Sequence, residues 1–217
     1  ISVNFAVGAS WGVWRGRKLT GVTGRNMAAA GLMMYGPRTT MLVATAGTEG
    51  AIEFVLTNGP SGEWEWVLSN VFCTMQEDQS FQRAIFAPGN LRATGSNAGY
   101  RKLVDFYIDA RYHLRYSGSM VPDICQLVVK GTGIFTNADG GDSAPARLHL
   151  LYEAAPAAFI MEKAGGASSD GERSILDVPI SDTDQRTQVA VGSKDEVARF
   201  ERLVGPGGQG SAFSSWS

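Results

Sequence analysis

Cysteine and histidine are the scarcest chemistry-bearing residues, with two of each in 217 positions. Cys73 and Cys125 stand far apart, which excludes a disulfide scaffold and a cysteine-based zinc site. His113 and His149 are too few for a histidine-rich metal centre. Excess charge of one sign is also lacking. The 19 Lys and Arg face 21 Asp and Glu, a net charge of −2, and no long basic run occurs. That argues against a nucleic-acid footprint. No apolar run approaches the ~20 residues that a membrane span needs. The sequence opens on Ile1 rather than Met, and its first residues carry no signal-peptide or transit-peptide pattern. Because ISVNFAVG already reads as the inside of a strand, the chain is expected to be a fragment or a processed piece. What is present is ordinary for a globular protein: 44% hydrophobic and 18% charged residues. The length suits one large or two small domains with a real core.

Residues 2–7 alternate as a strand does and lead into the aromatic WGVW. Gly21 to Gly24 reads as a turn. Asn26 to Met34 is Ala-rich and reads as a helix stopped by Gly36-Pro37. Thr39 to Thr45, Ala51 to Leu56 and Trp64 to Leu68 read as three strands. TNGPSG joins the last two as an antiparallel hairpin. The polar stretch 69–84 suits a boundary between two lobes. Asn97 to Tyr112 is an amphipathic helix with Tyr100, Leu103, Tyr107 and Ala110 on one face. Ile124 to Val129 suits a buried strand, with Cys125 a core thiol, and Gly133 to Phe135 a second extended piece. Residues 137–146 form a glycine-rich surface loop. Pro156 to Lys163 reads as a helix closed by Gly165-Gly166. Thr187 to Val191 is a strand. Ser193 to Leu203 is a helix with a capping box of Ser193 and Glu196. Alternating strands and helices in the second half indicate a layered α/β fold.

Three polar spots carry chemistry. ARLHLLYEAAP, 146–156, holds Glu153 as its sole carboxylate, and no other Asp, Glu, Lys or Arg lies between Arg147 and Glu162. A carboxylate in apolar company needs a cation or a metal, or else it serves a helix N-terminus; both readings stand at this point. His149 reads more simply as a satisfied, half-buried histidine. PGNLRA, 88–93, is a tight turn that presents Asn90 and Arg92 beside backbone N–H groups; taken alone, an ordinary turn explains it as well. LRYSGSMVPD, 114–123, puts Arg115 and Tyr116 before a Ser-Gly-Ser turn whose N–H groups suit an anion. A plain connecting turn is the alternative. A mobile glycine loop followed by Arg147 and Glu153 suits a phosphate-ester site.

These residues resemble the class I sugar bisphosphatases, the family of fructose-1,6-bisphosphatase and sedoheptulose-1,7-bisphosphatase. The resemblance runs from Ile1 to about Val204 through NFAVGASWGVW, GRNMAAAGLMMYGPRTT, FAPGNLRAT, LRYSGSMVPD, GIFTN, ARLHLLYEAAP and EKAGG. YGPRTT, APGNLRAT, GIFTN and DQRTQVAVGSKDEVARFE are similar to the sedoheptulose branch in particular. The resemblance implies the second part of a layered α/β/α sandwich. Residues 1–83 would close an N-terminal phosphatase domain, 84–204 form the C-terminal domain, and 205–217 a disordered tail.

The implied activity is Mg²⁺-dependent hydrolysis of the C1 phosphate of sedoheptulose 1,7-bisphosphate, in the reductive pentose phosphate cycle. Fructose-1,6-bisphosphatase or a dual-specificity enzyme is the alternative. A non-catalytic sugar-phosphate-binding remnant is a further one. By resemblance Glu153 is a metal ligand, and Asn90, Arg115 and Tyr116 serve the distal phosphate. Gly118, Ser119 and Met120 line the sugar, and Arg147 contacts substrate. Arg115 would reach a neighbouring subunit's site, which implies a homodimer or homotetramer. The pathway implies a plastid, with the cytoplasm as the alternative. Arg147 stands where lysine is usual, His149 where arginine is common, and Asn137 where fructose-specific members have a tyrosine. The family's Asp-Pro-Leu-Asp-Gly-Ser metal loop and its upstream Glu are absent from the sequence.

Overall fold

The structure, a computed structural model, describes residues 6–76 and 84–206. Strands β1 (Val7–Trp14), β2 (Val22–Thr23), β3 (Met27–Tyr35), β4 (Thr39–Thr45), β5 (Ala51–Asn58) and β6 (Trp64–Cys73) come first. β7 (Ile85–Pro88), α1 (Ala98–Asp109), β8 (His113–Leu114), α2 (Met120–Lys130) and β9 (Ile134–Asn137) follow. The chain closes with β10 (Leu148–His149), α3 (Ala155–Lys163), β11 (Ala167–Ser169), β12 (Pro179–Ile180), β13 (Arg186–Thr187), β14 (Val189–Gly192) and α4 (Lys194–Val204).

One five-stranded sheet runs β1-β3-β4-β5-β6, all antiparallel. A second runs β11-β14-β9-β7-β8, with β9, β7 and β8 parallel. Helices α2 and α3 lie between the sheets and touch both. The pair α1 and α4 packs on the far face of the second sheet. The layered α/β expectation therefore holds, in the order sheet, helix pair, sheet, helix pair. One continuous core joins Leu32 and Leu42 of the first sheet to Phe135 and Val191 of the second. It crosses the expected lobe boundary. β6 extends to Cys73, and residues 77–83 of that boundary lie outside the described residues.

Placement in the middle layer explains α3. Ala155 to Met161 are all buried, so this helix is apolar all round rather than one-faced. Burial of Phe159, Ile160 and Met161 contributes about 1.5–3 kcal/mol each. Pro156 sits in its first turn, as expected. Helix α1 also matches its pattern. Tyr100, Leu103 and Tyr107 are buried, and Asn97 accepts the Tyr100 N–H at 2.9 Å.

Three elements depart from the sequence reading, the first being the expected turn at Gly21 to Gly24, where Val22 and Thr23 form β2 and pair antiparallel with Ile180 and Pro179 of β12. Asn26 to Met34 is not a helix; β3 spans nearly all of it. It pairs with β1 on one side and β4 on the other. Ala favours helix over most residues by at most ~0.7 kcal/mol each, which two flanking ladders override. The small residues serve packing: a Cβ on Gly31 would lie 2.2 Å from the Trp11 ring. Likewise 124–129 is not a strand but the body of α2. Val121, Ile124, Cys125, Leu127 and Val128 are buried at helical spacing. A short apolar run fits both periods, and only its flanks decide. Ser119, at the N-cap position, and Gly131 at the C-cap supply those flanks. Cys125 is the expected core thiol, and burial pushes it up to about 12.

The strand expected over 2–7 begins at Val7 and takes in WGVW; residues 1–5 lie outside the described residues, as do 207–217 of the expected tail. No described helix is long and apolar enough to cross a membrane.

An ion-pair network fastens the first sheet to α3. Arg25 donates to Glu162 at 2.6 Å and to Asp177 at 2.8 and 3.0 Å. Glu162 also accepts from Ser168 at 2.7 Å and Ser174 at 2.5 Å. The Arg25 hydrogen bonds hold Asp177 below the usual carboxylate range. With half of Arg25 exposed, Arg25→Ala should cost about 1.5 kcal/mol, a Tm loss of roughly 3–6 °C. A carboxylate depressed on folding stabilises fully above its unfolded value, about 3.9, and less as pH falls through the depressed one. The gap between variant and wild type should therefore narrow below about pH 4. Melting at pH 7 and pH 3 checks this; a gap that widens in acid contradicts it.

Candidate functional site

The turn after β7 is built to close tolerance. Gly89 N–H donates to the Thr136 carbonyl at 2.6 Å. A Cβ on Gly89 would lie 2.9 Å from the Phe135 ring and 3.2 Å from Asn137 Nδ2. Asn90 is buried, and its Nδ2 donates to the Ala138 and Ala144 carbonyls, both at 2.9 Å. Two carbonyl acceptors fix which end of that amide is nitrogen. Ser96 Oγ donates to Gly140 at 2.6 Å, and Asn97 Nδ2 to Asp139 at 2.9 Å. The glycine-rich loop is thus not the mobile segment its composition predicts. Asn90, Ser96 and Asn97 donate to the carbonyls of Ala138, Asp139, Gly140 and Ala144 and hold it down.

A cavity of about 600 Å³ opens beside this turn. Asn90, Leu91, Arg92, Leu114, Tyr116, Asn137 and Arg147 line it, with Pro88 and Gly89. Tyr116 Oη reaches the Gly89 carbonyl at 3.3 Å. Burial against the turn raises its phenol, and the charge of Asp123 adds to this. Asn137, at the end of β9, accepts the Arg147 N–H at 3.4 Å. Arg186 of β13 donates to the Arg147 carbonyl and steadies the strand that carries it. Asn90, Tyr116 and Arg147, distant in sequence, therefore meet in one place. Arg92 and Asn137 join them, though the sequence reading did not select either as a binding residue. Among the described residues, two guanidinium groups and no carboxylate line the cavity, which gives it a positive field.

Arg115 turns elsewhere. Its Nη1 donates to the Leu114 carbonyl at 2.9 Å, and it lines a separate 330 Å³ cavity with His113, Lys130 and Thr132. Gly118, Ser119 and Met120 lead into α2 and do not line the larger cavity. Asp123, buried in α2, accepts the Ser117 N–H at 2.9 Å and closes that turn. Burial raises its carboxyl, and the Ser117 bond works against the rise.

Glu153 lies where strand gives way to helix, as expected. β10 ends at His149, Leu150–Ala154 form one wide π-helical turn, and α3 follows. Such turns often mark functional sites. Glu153 Oε2 accepts the His149 N–H at 2.7 Å and lies 2.9 Å from His149 Nδ1. The His149 ring stacks on Tyr152, with centroids 4.5 Å apart. His149 is thus satisfied and half-buried, as its bland reading held. Glu153 Oε1 has no hydrogen bond among the described residues, and the side chain is 30% exposed. One hard carboxylate oxygen fits one ligand position of a Mg²⁺ ion. No group of three or more metal-ligating side chains occurs among the described residues. The fit is therefore to part of a metal site.

The capping box expected at α4 does not form. Ser193 Oγ accepts the Gly133 N–H at 3.2 Å, and Glu196 turns inward to Tyr112 at 2.5 Å. Both side chains have stronger calls on them from the sheet and the core than from the helix end.

Residues 80–205 match the family model described as "Fructose-1-6-bisphosphatase, C-terminal domain". The chain is 48% identical over 204 residues to the chloroplastic sedoheptulose-1,7-bisphosphatase of Spinacia oleracea, covering 94% of this chain and 50% of that one. It is 50% identical over 204 residues to the Triticum aestivum enzyme of the same name, covering 94% and 49%. The chain thus spans about half the length of these relatives. The holo fructose-1,6-bisphosphatase of Leishmania major superposes with a TM-score of 0.79 at 31% identity, over 92% of this chain and 64% of that one. Family model, relatives and superposition agree: the chain belongs to the fructose-1,6-bisphosphatase family of sugar bisphosphatases.

Proposed function

We propose that this chain forms the substrate-clamping part of a Mg²⁺-dependent phosphatase that removes the C1 phosphate from sedoheptulose 1,7-bisphosphate. The observation that carries the reading is the cavity of about 600 Å³, lined among the described residues by two guanidinium groups and no acidic side chain. A ketose bisphosphate brings two phosphates, and arginine binds each oxygen pair in a planar fork. Tyr116 and Asn137 offer a phenol and an amide to the sugar hydroxyls. The names of the plant relatives favour the seven-carbon substrate and a plastid location.

Glu153 would hold one Mg²⁺ through Oε1, with the remaining ligands coming from outside the described residues. Mg²⁺, when bound, activates water and neutralises charge on the transferring phosphoryl group. The chain's own residues bind and orient. His149 fixes the Glu153 carboxylate from two sides, so its free oxygen has a set direction. Arg115, which turns away from its own chain's cavity, would serve the distal phosphate of a neighbouring subunit in a homodimer or homotetramer.

Isothermal titration of the 217-residue chain with sedoheptulose 1,7-bisphosphate in EDTA tests the reading. Arg147→Ala should raise Kd by about ten- to a hundredfold, the loss of one charge-assisted contact of roughly 1.5–3 kcal/mol. No binding by the wild-type chain, or an unchanged Kd in the variant, would end it.

A further inference from the structure

The short strand β8 divides two spaces. Successive strand residues point to opposite sides, so Leu114 and Tyr116 line the 600 Å³ cavity while His113 and Arg115 line the 330 Å³ one. Backbone bonds fix that alternation: His113 N–H donates to the Ala84 carbonyl at 2.9 Å, and Arg115 N–H to the Phe86 carbonyl at 3.0 Å. Ile85, Lys130 and Thr132 complete the smaller cavity. Gly131 sits between the last two at φ +71°, with its N–H on the Leu127 carbonyl at 2.7 Å, and so sets the turn that carries them.

A guanidinium, an ammonium and an imidazole share this lining, and among the described residues no carboxylate joins them. Lys130 is exposed and has no hydrogen bond or ion pair among the described residues. By contrast, Arg25, Arg101 and Arg199 are each paired with carboxylates. Charges of one sign gathered in a cleft focus its field on an anion. Thr132 is an independent sign of a ligand. It is 6% exposed, and its Oγ1 is buried with no hydrogen bond among the described residues. A buried hydroxyl left unpaired is destabilising, and a bound acceptor removes that penalty. Thr132 also borders a cavity of about 30 Å³ beside Ser193 and Glu196, room for one water molecule.

We propose that the 330 Å³ cavity is a second anion site, separate from the substrate cavity, which takes the phosphate group of free phosphate or of a small phosphate monoester. Arg115 and Lys130 offset the dianion's charge, His113 borders it, and Thr132 donates its hydroxyl. The volume is at the lower end for small-molecule sites, enough for a phosphate with a short carbon body.

The test uses the 217-residue chain carrying Arg147→Ala, which weakens the larger cavity, and titrates it with inorganic phosphate and with glycerol 3-phosphate. Adding Lys130→Ala should raise Kd for both probes by about tenfold or more, the loss of one charge-assisted contact. Tm should hold; a lysine that only served the last turn of α2 would lower Tm and leave Kd in place, which would overturn the site. Thr132→Val keeps the shape and should raise Kd severalfold. A Kd within twofold would assign that hydroxyl to the 30 Å³ cavity and strike Thr132 from the site. Tighter binding of glycerol 3-phosphate than of phosphate identifies an ester as the occupant, and equal binding the free ion. Lys130→Ala alone should bind sedoheptulose 1,7-bisphosphate within twofold of wild type. A larger loss would place Lys130 with the substrate and overturn the separation of the two sites. Phosphate binding indifferent to Lys130→Ala, or none by the Arg147→Ala chain, would overturn the second site and leave the substrate reading standing.

Discussion

On the metal role proposed above, Glu153→Gln is expected to lower turnover of the full-length phosphatase by on the order of a hundredfold or more. A metal ion that neutralises phosphoryl charge contributes several kcal/mol, and each ~1.4 kcal/mol is tenfold in rate. The substitution keeps the shape of the side chain. The Gln carbonyl can still accept the His149 N–H that Glu153 accepts at 2.7 Å, so β10 and the wide turn should remain in place. The lost charge should appear as a raised Mg²⁺ concentration for half-maximal rate, with partial recovery at high Mg²⁺. A carboxylate that only served the helix terminus gives a different result: about 0.3–1 kcal/mol of stability lost and the rate unchanged. Rate against Mg²⁺, with a melting curve for each protein, separates the two. Wild-type turnover at ordinary Mg²⁺ in a folded Glu153→Gln protein would end the metal assignment.

The parts of the fold legible in the sequence are those where local pattern and tertiary demand agree. β4 alternates along its length and β5 over its first residues, and TNGPSG turns the chain between β5 and β6. Pro156 opens α3 and Gly165 follows its end. The misread segments are those where the two disagree. Met27 to Met34 is rich in helix formers, yet it occupies a strand paired on both sides, where small residues let Trp11 lie across the sheet. In α2 a six-residue apolar run is too short to declare its own period, and the helix is recognisable only from Ser119 and Gly131 at its ends.

The candidate site divides in the same way. Residue types at PGNLR, RYSGSM and ARLHLLYE point to phosphate chemistry, and the fold brings Asn90, Tyr116 and Arg147 to one cavity. The sequence could not show which donors are already in use. Asn90 looks available as a letter and is saturated as an atom. Arg92 looks like a solvated turn residue and faces the cavity. Hydrogen-bond commitment depends on residues 48 and 54 positions away, and no local pattern records that. The direction of Arg115 is equally non-local, since it follows from the short parallel pairing of β8 with β7.

Glu196 shows the same conflict at a place where stability is at stake. Its spacing from Ser193 suggests a capping box, but the carboxylate is 3% exposed and accepts from Tyr112 Oη at 2.5 Å. Arg199 approaches its other oxygen at 3.4 Å and lies 3.9 Å over the Phe106 ring. Burial pushes the Tyr112 phenol up, and its bond to Glu196 pushes it further, so it stays a donor throughout the physiological range. Glu196→Ala would leave a buried hydroxyl and a mostly covered guanidinium without their acceptor. The expected cost is about 3–5 kcal/mol, a Tm loss of roughly 6–20 °C for a chain of this length. A mere N-terminal cap would cost only about 0.5–2 kcal/mol. The two accounts also differ in coupling. Combined with Tyr112→Phe, Glu196→Ala should cost clearly less than the sum of the two single changes, because both remove the same buried hydrogen bond. Combined with Ser193→Ala, it should be close to additive, since Ser193 Oγ serves Gly133 rather than the helix. Strong coupling to Ser193 and none to Tyr112 would restore the capping box and remove Glu196 from the core between α1 and α4.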